Sequence, residues 1–267
     1  MAIAMVNKDS LSLLVSDKIA ALHAFTTRLG GVSTGSLSAL NIGLHRGDCR
    51  ENVLENYARL GHALGFSPEK TVLTKQTHTD IVRVAGQDLW GAGLYKPELT
   101  ECDGLITNTP GTALVVFTAD CTPILLWDSA TGAVGAVHAG WRGTVADIAG
   151  NAVRKMEEAF GCKAENIHAA IGPNIGDCCF ETDEDVPNAV LDAFGDAARS
   201  YISQKGSKYY VNLKGVNALA LHRAGVRSVD VSDFCTACRT DLFWSHRRHG
   251  SARGSQGAII VCKEADR

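Results

Sequence analysis

Apolar residues follow two rhythms along this chain. Continuous runs at 113–118 (ALVVFT), 123–128 (PILLWD) and 133–138 (AVGAVH) predict strands buried on both faces. A helical period governs 51–64, where Val53, Tyr57, Leu60 and Leu64 share one face and Gly65 ends the run. From Arg142 the period is helical again. Val145, Ile148, Ala152 and Met156 predict one helix over 142–160, stopped at Gly161. LHAFTT at 22–27, NIHAAIG, VRSVDVS and GAIIVC predict further strands, and TVLTKQ and DIVRVAG predict two short ones around the polar turn QTHTD. DEDVPNAVLDAFG predicts a helix with acidic residues in its first turn, which suits the helix dipole, and NLKGVNALALHRAG another that ends at a glycine.

Strands and helices are intermixed without regular βαβ alternation and without an internal repeat. No linker rich in Pro, Ser or charge divides residues 1–267. The pattern predicts a single α/β domain with a mixed sheet. Composition agrees: 267 residues with 45% hydrophobic and 21% charged content can bury a substantial core. The net charge of −3 argues against nucleic acid or an anionic membrane as a partner. MAIAMVNKDS has neither a basic start nor a long apolar region, so no signal peptide is expected, and no stretch reaches the length of a membrane span. Nine cysteines, an odd number scattered along the chain, fit reduced thiols and a cytoplasmic location better than a disulfide framework.

Two polar residues stand where those core strands run out. Cys121 follows ALVVFTAD and His138 ends GAVGAVH, which delivers a thiol and an imidazole to a sheet edge, where open α/β folds place their ligands. They suit a nucleophile with its base, or two ligands of one metal. Packing is the competing explanation, since a lone buried cysteine is usually structural. A third residue shifts the balance. His78 lies in QTHTD, a turn with no apolar reason for a ring. His78, Cys121 and His138 form a donor set suited to zinc, and three protein ligands leave a fourth position open as catalytic sites do.

Arginines beside glycines form a second constellation. Arg142 in GWRG opens the predicted 142–160 helix, where free N–H groups and a guanidinium suit phosphate, and Arg28, Arg247 and Arg248 are further cationic candidates. Any one of them has a solvated surface role as its simpler explanation. Glu181 in CCFE is a candidate acid or base, or the approach to a helix cap. Cys178 and Cys179 are expected to approach the site. Cys235 and Cys238 form a single CxxC without a second such pair, so they are expected to be structural or incidental and dispensable for activity.

FTTRLGGVS, KQTHTDIV, CDGLITNTPGTALVVFTADCTPILLWD, AVHAGWRGT, AAIGPNIGDCCFE and CTACRTDLFWSHRRHG occur in the order found in the laccase-domain family, which the chain resembles from about Phe25 to Val261. That family was first described as multicopper polyphenol oxidases and is now assigned to purine nucleoside phosphorylases. The resemblance implies a layered α/β fold and metal ligands at His78 in QTHT, Cys121 in ADC and His138 in HAGWRG. It implies zinc as cofactor, with copper the lesser alternative. It also implies phosphorolysis of adenosine, inosine and methylthioadenosine, together with deamination of adenosine. The partners are then a purine nucleoside and phosphate, with phosphate held near Arg142 and Arg28 and aimed at the anomeric carbon, and Glu181 on the substrate side. Asp120, beside Cys121, is the candidate proton shuttle or support for the metal. QTHTD replaces the common QVHG, and Phe180 and His246 replace the usual tyrosines of the YE and SYRR motifs.

Two other enzymes remain as alternatives. Copper-dependent phenol oxidation would need histidines in paired clusters, and the nine histidines include no His-x-His pair. A metal-free Cys121–His138 hydrolase would act on an amide or peptidoglycan-type substrate. A non-enzymatic binding module fits the open three-ligand site least well.

Overall fold

The structure, a computed structural model, describes residues 3–263. Two six-stranded mixed sheets, rather than one, form its centre. The first runs in spatial order Ile3–Lys8, Leu11–Ser16, Leu22–Thr26, Gln256–Val261, Ala113–Thr118 and Thr71–Leu73, antiparallel except for the last pair. The second runs Ser228–Val231, Ile167–Ile171, Thr122–Asp128, Val134–Ala139, Gly104–Thr107 and Val82–Val84, with parallel pairs at both ends. A small third sheet joins Glu181–Thr182, Lys208–Val211 and Ile202–Lys205.

Alternation along the strands builds the layers. Leu114 and Val116 point to the space between the two large sheets, where they meet Leu125, Val134 and Ala136. Ala113 and Val115 point outward to the Arg50–Leu64 helix and its Val53, Tyr57 and Leu60. On the second sheet Ile124, Leu126 and Val137 face the helices Ile148–Phe160, Asp185–Phe194 and Leu213–Arg223. Every central strand is therefore covered on both sides, which explains why the runs read as continuously apolar. No described helix is long and apolar enough to cross a membrane.

The structure corrects the predicted 142–160 helix. It is two helices, Trp141–Val145 and Ile148–Phe160, broken where Asp147 takes a left-handed conformation (φ 59°) and caps the Gly150 N–H with its carboxylate. The apolar period survives the break, so periodicity alone does not register it. Three features lie outside the sequence pattern: the N-terminal hairpin, the Gly104–Thr107 strand and the small third sheet. Most of their strands are short or largely exposed, so no long apolar run marks them.

His23 gives the fold a defined response to acid. Its buried ring accepts the Ser16 N–H at Nε2 (2.9 Å) and so donates from Nδ1 to the Ala21 carbonyl (2.8 Å). Burial lowers its pKa below the ordinary 6.5, although the Ala21 carbonyl pulls the other way. The folded ring stays neutral while the unfolded chain takes up a proton as the pH falls through 6.5. The expected result is lower stability below that pH, with a shallower loss in His23→Gln. Denaturant midpoints measured from pH 7 downward in both proteins check this, and parallel curves would contradict it.

Candidate metal centre and cavity

The three candidate ligands meet where the chain passes between the two sheets. Ala113–Thr118 belongs to the first sheet and Thr122–Asp128 to the second, so residues 119–121 make the crossing and leave Cys121 in the turn. Asp120 makes the turn possible with a left-handed backbone (φ 91°). His138 pairs in register with Pro123, two residues past Cys121, which places both side chains at the same end of the sheet. His78 comes from the opposite direction. Its loop links Thr71–Leu73 of the first sheet to Val82–Val84 of the second and arches over the crossing.

Their ligand atoms lie within 4.8 Å of one another, with His78 Nε2 3.8 Å from Cys121 Sγ. His138 is buried, Cys121 half-buried and His78 exposed, so the cluster is open on one side. Gly140 keeps that side clear. A Cβ there would stand 2.6 Å from the His78 ring and 3.4 Å from Cys121 Sγ.

Asp103 organises the cluster and was missed by sequence reasoning. Fully buried at the head of Gly104–Thr107, it accepts the His138 Nδ1–H at 2.8 Å, leaving Nε2 of that ring to face the site. The same carboxylate accepts backbone N–H groups of Thr77, His78 and Thr79 and the Thr79 hydroxyl, at 2.8–3.1 Å. It thereby holds the His78 loop, including the left-handed backbone of His78 itself (φ 64°). The only sequence signal was a carboxylate set between Cys102 and a buried apolar strand.

The same contacts set the charges. Burial works against an ionised Asp103, but hydrogen bonds from His138 and the Thr79 N–H more than offset it and hold the carboxyl at about 2. Burial also opposes a Cys121 thiolate, yet His138 and then His78 pull its pKa down to about 6. For His138 burial lowers the pKa, while Cys121 and Asp103 raise it to about 9. The shifts favour a thiolate on Cys121 beside an imidazolium on His138.

The cluster opens into a cavity of about 330 Å³, lined by His78, Asp120, Cys121, Trp141, Phe180, Arg247 and Arg253 among others. His246 is also on its wall, so both positions that depart from the family tyrosines face this space. A cavity of about 450 Å³ beyond Gln76 and Thr77 carries His45 and Glu98 but no comparable ligand cluster.

The remaining sequence candidates have defined places. The Asp120 carboxylate accepts Thr236 Oγ1 (2.6 Å), Ser245 Oγ (3.0 Å) and the Arg247 N–H (2.7 Å), tying the cavity wall to the Cys121 turn. Arg28 stacks on Trp244 and donates to the carbonyls of Ser38 and Thr240, outside the cavity lining. Arg142 is exposed over the ring of Trp141 and belongs to a five-residue helix rather than to the long one expected. Glu181 accepts the Tyr210 hydroxyl at 2.6 Å, next to cavity-lining Phe180. Arg253 carried no signal in SARGSQ. Burial and nearby Arg46 lower its pKa, while Asp120 and Cys121 favour its charge.

A family model described as Multi-copper polyphenol oxidoreductase laccase matches residues 22–263. Purine nucleoside phosphorylase YlmD of Geobacillus stearothermophilus is 36% identical over 249 residues, covering 91% of each chain. A purine nucleoside phosphorylase of Deinococcus radiodurans is 38% identical over 251 residues, covering 94% of this chain and 92% of the relative. The crystal structure of YlmD from Geobacillus stearothermophilus superposes with a TM-score of 0.92 at 33% identity, covering 97% of this chain and 99% of that one.

Proposed function

The chain belongs to the multi-copper polyphenol oxidoreductase laccase family, and we propose that it is a zinc-dependent purine nucleoside phosphorylase. The observation that carries this reading is the junction of an open His–Cys–His cluster with a cavity that has aromatic walls and cationic side chains. The donor set fits zinc: two imidazoles and one thiolate, one imidazole fixed by a buried carboxylate and a glycine keeping the approach clear. His78, Cys121 and His138 would hold the ion, which when bound supplies Lewis acidity. Among the described residues only this group combines histidine with cysteine, whereas several coppers would need several histidine-rich sites.

The reaction joins a phosphate oxygen to the anomeric carbon of the ribose as the glycosidic bond breaks. The bonding pair leaves with the purine, which takes up a proton. Trp141 and Phe180 provide apolar faces for the base. Arg253 and Arg247 line the cavity as guanidinium partners for phosphate, with exposed Arg142 over the ring of Trp141 as an outer member, and they act by positioning and electrostatic stabilisation. His246, whose Nδ1 lies 3.5 Å from Arg253 Nε, is a cavity-wall group able to pass a proton to the leaving base. Asp120, with three donors on its carboxylate, holds that wall against the Cys121 turn. Adenosine deamination is the second activity proposed, with water in place of phosphate.

Release of free base from adenosine and inosine should require phosphate, and zinc should co-purify with the activity. Arg253→Ala should raise the phosphate concentration for half-maximal rate by about 10–100-fold, from the loss of a charge-assisted contact of roughly 1.5–3 kcal/mol. Arg142→Ala should raise it less. Base release that ignores phosphate would overturn the assignment, and an unchanged phosphate requirement in Arg253→Ala would remove that residue from it.

The Asp103–His138–Cys121 order also favours a second reading, a metal-free cysteine hydrolase with Cys121 as nucleophile and His138 as base. On that reading chelation leaves activity intact and alkylation of Cys121 abolishes it.

A further inference from the structure

Four cysteines outside the His–Cys–His centre come together where the 172–181 loop meets the 233–240 loop. From sequence, Cys235 and Cys238 were a CxxC without a partner pair and were expected to be incidental. The structure corrects the first point: Cys178 and Cys179 are the partner pair, and the four sulfurs lie within 4.8 Å of one another. Cys238 Sγ is 3.6 Å from Cys178 Sγ and 3.4 Å from Cys179 Sγ. In a tetrahedral four-thiolate zinc site, with Zn–S near 2.3 Å, neighbouring sulfurs stand about 3.8 Å apart. These two spacings fall a few tenths of an ångström short of that value, and no pair of the four exceeds 4.8 Å.

The surroundings match the spacing. Asn174 and Cys235 form a parallel bridge, reinforced by the Thr236 N–H on the Asn174 carbonyl at 2.9 Å, so the two loops enter the cluster in register. The Gly176 N–H donates to Cys235 Sγ at 3.2 Å, a bond that favours the thiolate. Gly176 also lacks the Cβ that would crowd Cys178 Sγ at 3.2 Å and Cys235 Cβ at 3.3 Å. Two cations offset the charge of the thiolates. Arg248 Nη2 lies 3.9 Å from Cys179 Sγ, and the Lys214 ammonium, held by the carbonyls of Ser232 and Phe234, feels both Cys235 and Cys178.

We propose that Cys178, Cys179, Cys235 and Cys238 are a second metal site, a four-thiolate site for a structural zinc ion. Binding exchanges four thiol protons for one ion and leaves the sulfur oxidation state unchanged. With all four positions taken by protein, the site is closed and its role is mechanical. It fastens the 172–181 loop, which brings Ile175 and Phe180 to the cavity, to the 233–240 loop, whose Thr236 hydroxyl holds Asp120. Arg247 joins the same unit by donating to the carbonyls of Cys179 and Glu181.

The test uses Co2+ as probe on full-length protein, stripped of metal and kept reduced. The parent should bind two equivalents. Cys121→Ser should bind one, with the strong thiolate-to-cobalt absorption of a sulfur-only site. The Cys235→Ser, Cys238→Ser double variant should also bind one, with the weaker absorption of a single-thiolate site. In the parent, Cys178, Cys179, Cys235 and Cys238 should resist alkylation until a chelator is added, a readout that does not depend on the double variant folding. A parent that binds cobalt without the sulfur-only absorption would overturn the proposal, and so would Cys121→Ser without it. A disulfide among the four in parent protein purified under reducing conditions would also overturn it. None of these outcomes depends on the nucleoside reaction, so failure here leaves that assignment standing.

Discussion

Asp103→Ala is expected to empty the His–Cys–His centre and to lower the stability of the whole protein. The carboxylate is fully buried and accepts from five donors, the His138 ring among them. Its removal leaves three backbone N–H groups and a hydroxyl without their acceptor and frees the His138 ring to rotate. Breaking a buried charged pair of this kind costs about 3–5 kcal/mol. At roughly 2–4 °C per kcal/mol for a chain of this size, the melting temperature should fall by about 6–20 °C. Metal affinity should fall by at least about 10–100-fold, the usual loss when the partner of a ligating histidine is removed, because here the His78 loop is released as well. Asp103→Asn separates the two effects. It keeps the shape and one acceptor but presents an NH2 group towards donors, so the metal should be lost with less of the stability. Calorimetric melting and zinc titration on both variants check this. Zinc affinity equal to the parent in Asp103→Ala would refute the organising role of the carboxylate.

Gly140→Ala should produce the complementary phenotype, loss of metal without loss of fold. Gly140 has an ordinary extended backbone (φ −69°), so alanine brings no conformational penalty there. The obstacle is steric: the new methyl would sit 2.6 Å from Cδ2 of His78 and 3.4 Å from Cys121 Sγ. His78 is exposed and can swing away at little cost to stability, but in doing so it leaves the ligand position. Two ligands in place of three should weaken zinc binding by at least about tenfold, comparable to the loss of a supporting residue, and should reduce activity in proportion to occupancy. The melting temperature of the metal-free protein should stay close to that of the parent. Gly140→Ala protein with full zinc content would show that the ring finds another way to the ion.

These two residues also mark the boundary of what local pattern can reveal. The chain itself determined the strands buried on both faces, because apolar side chains at every position of 113–117 or 123–127 leave no solvent face. It determined the Arg50–Leu64 helix and its glycine stop in the same way. It also marked Cys121 and His138, a thiol and a ring where apolar runs end, and His78, a ring in a polar turn, since each is visible within a few residues. What decides whether such groups meet is register and crossover. His138 lies beside Cys121 because it pairs opposite Pro123, and His78 reaches both because its loop spans two sheets. The break at Asp147, Asp103 beneath the centre, Arg253 on the cavity wall and the meeting of Cys178–Cys179 with Cys235–Cys238 depend on backbone turns or on neighbours tens of residues away. Hydrophobic period records only which face of an element is buried, so side chains joined by hydrogen bonds or shared chemistry across such distances were decided by the tertiary structure alone.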